Sequence, residues 1–241
     1  MSAAYEPIGI IATLNGVIEL LLHSMTLRET VVQDKLTYYS GWINNRPVVL
    51  VRSGAGKVNA ALCAATLIKV FAIKCIIMVG MGGALVRRLG HGDIIISEDL
   101  IHHDMEATRL GLPPGTIPGL KVRSMAADTY LRELARRSSS VLVGVNVCQG
   151  RILTGDQFIS DKGKLTFLKT LYNGQCVDME GAALAQVCLL CNIPFVVIRC
   201  IAERTNGKFM RKYKTFSRIA ALNLAALVRE MINNTSKIPG G

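Results

Sequence analysis

Short, unbroken apolar runs constrain this chain more than any other feature. Ile8 to Ala12, Lys74 to Val79 and Pro194 to Ala202 are such runs. At roughly 5–9 residues they fall far below the ~20 needed to span a membrane. They suit strands buried on both faces, which read as continuous apolar segments. Helical patterns stand between them. Val17 to Leu27, the Ala-rich stretch Lys57 to Phe71, Ala126 to Ser138, Lys162 to Leu171, Met179 to Cys191 and Phe216 to Asn233 are read as helices. Further strands are expected at Glu29 to Trp42, Pro47 to Arg52, Gly92 to Ser97, Gly144 to Leu153 and Cys176 to Asp178, with a hairpin turn at Asn44-Asn45-Arg46.

This alternation predicts an α/β sandwich around a mostly parallel or mixed sheet. The 241 residues are half apolar, enough for one large core, and no linker-like segment divides them. A single domain over 1–241 is expected. The stretch from His102 to Gly119 is rich in Gly and Pro and reads as a long loop of the functional or interfacial kind.

In sheets of this class, ligands bind beyond the carboxyl ends of the strands. Several unusual residues fall there: Gly80-Met81-Gly82-Gly83, Thr154-Gly155-Asp156, Asp178-Met179-Glu180 and Ala202-Glu203. They are expected to converge on one edge. The glycines would let backbone approach a ligand closely, although a plain tight turn explains such a cluster equally well. Arg199 lies inside an apolar strand, where a charge is costly unless paired. Glu180 is its candidate partner, and a purely structural ion pair is one reading of the two.

Other chemistries lack their signatures. Gly80-Met81-Gly82-Gly83 is no dinucleotide fingerprint, and neither a phosphate-binding P-loop nor a His-Glu-x-x-His zinc motif occurs. His102-His103-Asp104 has metal-ligand chemistry but no further histidine near it in sequence, so no metal and no cofactor are predicted. Cys188-x-x-Cys191 has redox spacing without a second pair, and the seven cysteines read as small buried apolar residues. A net charge of +11 would suit anionic partners, but the basic residues are dispersed and only 5% of residues are aromatic. A solvated basic surface is expected, not a nucleic-acid platform. The N-terminus lacks the pattern of a signal peptide, and a cytoplasmic, membrane-free protein is expected.

Taken in order, IGIIATL at 8–14, SGAGKVNAA at 53–61, VGMGGAL at 79–85, GDIIIS at 92–97 and HHD at 102–104 carry a resemblance. TGDQFIS at 154–160, VDMEGAALAQVC at 177–188 and PFVVIRCIAE at 194–203 continue it. With them the chain resembles the methylthioadenosine/S-adenosylhomocysteine nucleosidases of the purine nucleoside phosphorylase superfamily. The strand–helix alternation predicts a three-layer α/β/α sandwich with a central twisted mixed sheet of about eight strands, and the resemblance makes it nucleoside phosphorylase-like. It implies hydrolysis of the N-glycosidic bond of methylthioadenosine or S-adenosylhomocysteine, with release of adenine. The C–N bond breaks through an oxocarbenium-like state, and adenine leaves well only once N7 is protonated.

The resemblance also assigns roles. Glu203 would be the acid facing N7, and Arg199 would orient Glu180 and the attacking water. Glu180 would accept from the ribose hydroxyls. Met179 would pack the sugar, Phe158 would cover the purine and the backbone of Ile159 would read its edge. Met81 and Gly82 would border the nucleoside, and Tyr213 would line the 5′ end. The loop with His103 and Asp104 implies a homodimer. Three positions depart from the family pattern. Glu203 stands for a shorter Asp, Val17 for a water-activating glutamate, and Met81 for a serine near the water. They keep open a nucleoside-binding protein without catalysis. A phosphorolytic relative is the third reading, for which only Arg52 could contribute to a phosphate clamp.

Overall fold

The computed structural model describes residues 6–202 and 209–235, and side chains of 209–214 are not part of that description. Glu203 and the side chain of Tyr213, two of the expected site residues, lie outside the described residues. In chain order the strands are β1 (Ile8–Ala12), β2 (Thr26–Gln33), β3 (Leu36–Ile43), β4 (Arg46–Arg52), β5 (Cys75–Ala84) and β6 (Ile94–His102). They continue with β7 (Met125–Ala126), β8 (Val147–Thr154), β9 (Cys176–Asp178) and β10 (Phe195–Ala202). The helices are α1 (Asn15–Leu22), α2 (Lys57–Lys69), α3 (Thr129–Ser138), α4 (Lys162–Tyr172), α5 (Gly181–Cys191) and α6 (Phe209–Asn234).

The fold is mixed α/β, as expected, with ten strands among the described residues where about eight were anticipated. The order is β10-β6-β8-β9-β5-β1-β4-β3-β2, with β7 paired to β6. Because β10 also pairs with β5, the strands β5, β10, β6, β8 and β9 close into a ring. β1 runs parallel to both β4 and β5, while β9 meets β5 antiparallel through Gly83 and Ala84.

Strand alternation sorts the apolar side chains onto two faces. In β1, Ile8, Ile10 and Ala12 join one core, which is completed by Val17 and Ile18 of α1, Leu131 of α3 and Leu224 of α6. Ile11 faces a second core, built with Ala64 and Leu67 of α2 and Leu184 of α5. α4 covers a smaller cluster through Leu168 and Tyr172. The helix ends are specified locally: Asp128 accepts from the Leu131 amide at the start of α3, and Asp161 from the Lys164 amide at the start of α4. Asn173 and Asn192 close α4 and α5 in the left-handed conformation.

Several boundaries differ from the sequence reading. Glu29 to Trp42 is not one strand: Asp34 and Lys35, both at positive φ, make a two-residue hairpin turn between β2 and β3. β5 does not stop at Val79 but runs through Gly80–Gly83, held by β10 along that whole stretch. β6 extends to His102, which shortens the expected loop at its start. The helix after β9 begins at Gly181, leaving Met179 and Glu180 in the connection, and α6 begins at Phe209 instead of Phe216.

Candidate active site

The carboxyl ends of β1, β5, β9 and β10 meet around one pocket of about 240 Å³. Its floor is strand backbone. Met81, Gly82, Gly83 and Ala84 of β5 line it, with Thr13 and Leu14 just after β1. Close approach requires glycine at Gly82 and at Gly80 just before this stretch. A methyl on Gly80 would come 2.4 Å from Thr13 Oγ1 and 2.6 Å from Arg199 Nη1, and one on Gly82 would come 2.5 Å from Cys176 Sγ. One wall is Gly54 and Ala55 after β4, and another is Gln157, Phe158 and Ile159 after β8.

Asp178, Met179 and Glu180 border the pocket between β9 and α5. Asp178 is fixed from three sides. It accepts from Thr154 Oγ1 at 2.5 Å, from the Gly181 amide at 3.1 Å and from Arg199 Nε at 2.8 Å. Arg199 is fully buried at 0% exposure, and its Nη2 lies 3.5 Å from Glu180 Oε2. Its Nη1 has no hydrogen-bond partner among the described residues. Glu180, 5% exposed, accepts from the Gly56 amide at 3.0 Å. Burial pushes the Glu180 carboxyl above the usual range, the Arg199 guanidinium opposes that rise, and the Asp178 charge adds to it.

A ring of polar contacts braces the walls. Lys57 Nζ reaches both Asp104 oxygens at 2.8 Å, the Lys57 amide donates to Asp156 Oδ1 at 2.8 Å, and the Asp156 amide donates to Asp104 Oδ2 at 3.1 Å. This ties together the segments that follow β4, β6 and β8. His102 and His103 are buried beside it, and burial holds both imidazoles below their ordinary pKa. No group of three or more His, Cys, Asp or Glu among the described residues is arranged to hold an ion.

Of the residues expected from sequence, Met81, Gly82, Phe158, Ile159, Met179 and Glu180 all border the pocket, and Arg199 lies buried behind them. Phe158 is 63% exposed at the mouth. Glu180 is not the main partner of Arg199, because the shorter and better-aligned contact is to Asp178. That acid had gone unassigned. The available signal was its position: an acid ending a short buried strand, two residues before Glu180. Val17 is fully buried in the core beneath α1, and Glu19 is exposed, where it bonds to Asn15. Neither brings a carboxylate to the pocket. Arg52 is exposed and is not among the pocket residues.

Residues 7–233 match the sequence model of the Phosphorylase superfamily. A methylthioadenosine/S-adenosylhomocysteine nucleosidase of Anoxybacillus flavithermus is 35% identical over 95% of this chain and 99% of its own length. The crystal structure of the nucleosidase of that name from Neisseria meningitidis, in complex with methylthio-immucillin-A, superposes with a TM-score of 0.88 at 32% identity, over 94% of this chain and 98% of that one. The nucleosidase from Colwellia psychrerythraea, in complex with adenine, gives a TM-score of 0.89 at 28% identity, over 97% of each chain. The chain belongs to the phosphorylase superfamily. Within it, the chain is a member of the methylthioadenosine/S-adenosylhomocysteine nucleosidase family.

Proposed function

We propose that this protein hydrolyses the N-glycosidic bond of 5′-methylthioadenosine or S-adenosylhomocysteine and releases adenine. The observation that carries the reading is Glu180: a buried carboxylate at the pocket wall, held by the Gly56 amide and the Arg199 guanidinium. A fixed acceptor of this kind suits the two hydroxyls of a ribose, because charge-assisted hydrogen bonds are the strong ones. The relatives whose names state this activity support the substrate class.

The roles follow from the chemistry. Positive charge grows at the ribose C1′ as the bond lengthens, and the carboxylates of Glu180 and Asp178 stand at that wall to favour it. Met179 and Met81 offer apolar surface to the sugar, while Phe158 covers the purine and the Ile159 backbone meets its edge. Glu203, next after β10, is the acid for N7. The resemblance assigns the 5′ end to Tyr213. Arg199 is the positioning cation behind Glu180. Phosphorolysis is not favoured, since Arg52 is exposed away from the pocket. No cofactor or metal enters the reaction. The proposal includes a cytoplasmic homodimer. Free thiols at all seven cysteines suit a reducing compartment. The segment after β6, tied to the pocket through Asp104, suits a subunit contact. Among the described residues no helix is long and apolar enough to cross a membrane.

The test is adenine release from methylthioadenosine by the purified protein, with and without phosphate. Equal release in both is expected. Release only with phosphate, or nucleoside binding with no release, overturns the reading.

A further inference from the structure

We propose that Thr13 positions the attacking water, its hydroxyl linking the buried Arg199 guanidinium to the pocket; this rests on the hydrolase reading above. Water must reach C1′ from the floor of the pocket, and the floor is poor in polar groups. Four polar side chains line the pocket among the described residues: Thr13, Gln157, Asp178 and Glu180. Asp178 is taken up by Thr154, Gly181 and Arg199. Glu180 holds Gly56 and Arg199 and faces the ribose hydroxyls. Gln157 belongs to the wall beside Phe158 and accepts from Lys164. Thr13 alone of the four stands on the floor, directly after β1, with its amide bonded to the Val79 carbonyl at 3.1 Å.

A second observation points to the same spot. Arg199 Nη1 is buried without a partner among the described residues, a costly state for a cationic donor. It lies on the same side of Gly80 as Thr13 Oγ1: a side chain on Gly80 would collide with both. A hydroxyl has two acceptor sites and one donor. Thr13 Oγ1 thus has acceptor capacity for Nη1 on one side and for a water on the other. The guanidinium, fixed by Asp178 and Glu180, gives that hydroxyl a set direction.

The step needs no strong base. C1′ is strongly electrophilic in an oxocarbenium-like state, so the water requires placement more than activation. The C1′–N9 bond breaks with its electron pair leaving on adenine, which takes a proton at N7 from the acid. The water oxygen bonds to C1′ and sheds its proton to solvent, from which the acid is recharged. Val17, buried in the core, explains why no carboxylate of α1 takes part.

The experiment compares wild type, Thr13→Val and Thr13→Ser for adenine release, with methanol added as a competing nucleophile. Valine keeps the shape and removes the hydroxyl. Thr13→Val is expected to lower kcat by roughly 10–100-fold with KM nearly unchanged. It should also raise the share of methyl riboside over free sugar, and Thr13→Ser should retain wild-type behaviour. Wild-type kcat in Thr13→Val, or a slower reaction with unchanged methanol capture, overturns the proposal. A wild type that releases no adenine overturns the hydrolase reading itself, and the proposal with it.

Discussion

Replacing Arg199 by methionine removes the cation that Asp178 and Glu180 share. The stem of the side chain is kept in length, so packing changes little and charge is what is lost. Arg199 is 0% exposed, with Nε 2.8 Å from Asp178 and Nη2 3.5 Å from Glu180. Removing one partner of a buried pair costs about 3–5 kcal/mol, because the remaining charge stays buried. Asp178 keeps two other donors and Glu180 keeps the Gly56 amide, so the lower end, about 3 kcal/mol, is expected. That is a large part of the ~5–15 kcal/mol holding a domain together. For a chain of this size it lowers Tm by roughly 6–12 °C. Denaturant unfolding at fixed protein concentration measures it, at neutral and mildly acidic pH. Without the cation that opposes the effect of burial, the Glu180 carboxyl holds its proton more tightly folded than unfolded, so the deficit must shrink as pH falls. Asp178→Asn in the same chain should recover most of the loss. A deficit below about 1 kcal/mol at neutral pH would refute the reasoning, being the range of a surface pair, as would a deficit that does not change with pH.

Glu180→Gln should weaken nucleoside binding by about 1–3 kcal/mol, read by calorimetry, since a charged acceptor becomes neutral. Its own titration has a sign: the folded pKa is raised, so its contribution to stability is full below the unfolded value of 4.5 and is lost as pH rises through the folded one. The glutamine variant should flatten that slope in a pH series of unfolding curves. Glu203→Gln should abolish adenine release while inhibitor binding persists, and Glu203→Asp should preserve or raise the rate; equal release by wild type and the glutamine variant would assign the acid elsewhere. Sedimentation at micromolar concentration should show a dimer, and a monomer there would remove the subunit contact assigned to the segment after β6.

Much of the site was legible because strand ends announce themselves. Acids and clustered glycines interrupt an apolar run, so Glu180, Gly80 and Gly82 stand out in the chain before any fold is known, and Met81 is marked by the glycines on either side of it. What stayed hidden depends on partners distant in sequence. Gly80–Gly83 reads as a stop signal, yet the β10 ladder beside it keeps the backbone extended. Asp34-Lys35 lacks the glycine or asparagine that marks a tight turn, so two strands read as one. Asp178 looks like a plain strand residue until β10 sets Arg199 opposite it. The closing of β5 and β10 onto each other has no local signature, because no residue of either strand encodes its neighbour.

The strand that carries the glycines has a consequence for how the pocket can adapt. Backbone pinned between neighbouring strands has little freedom left to lose, so a molecule settling on β5 meets a surface already set. The segments after β4 and β8 lie outside the ladders and are held by side-chain contacts through Lys57, Asp104 and Asp156. Tolerance toward substituents of different size therefore resides in the rim, while the reacting end of the molecule is received by a mould that does not yield.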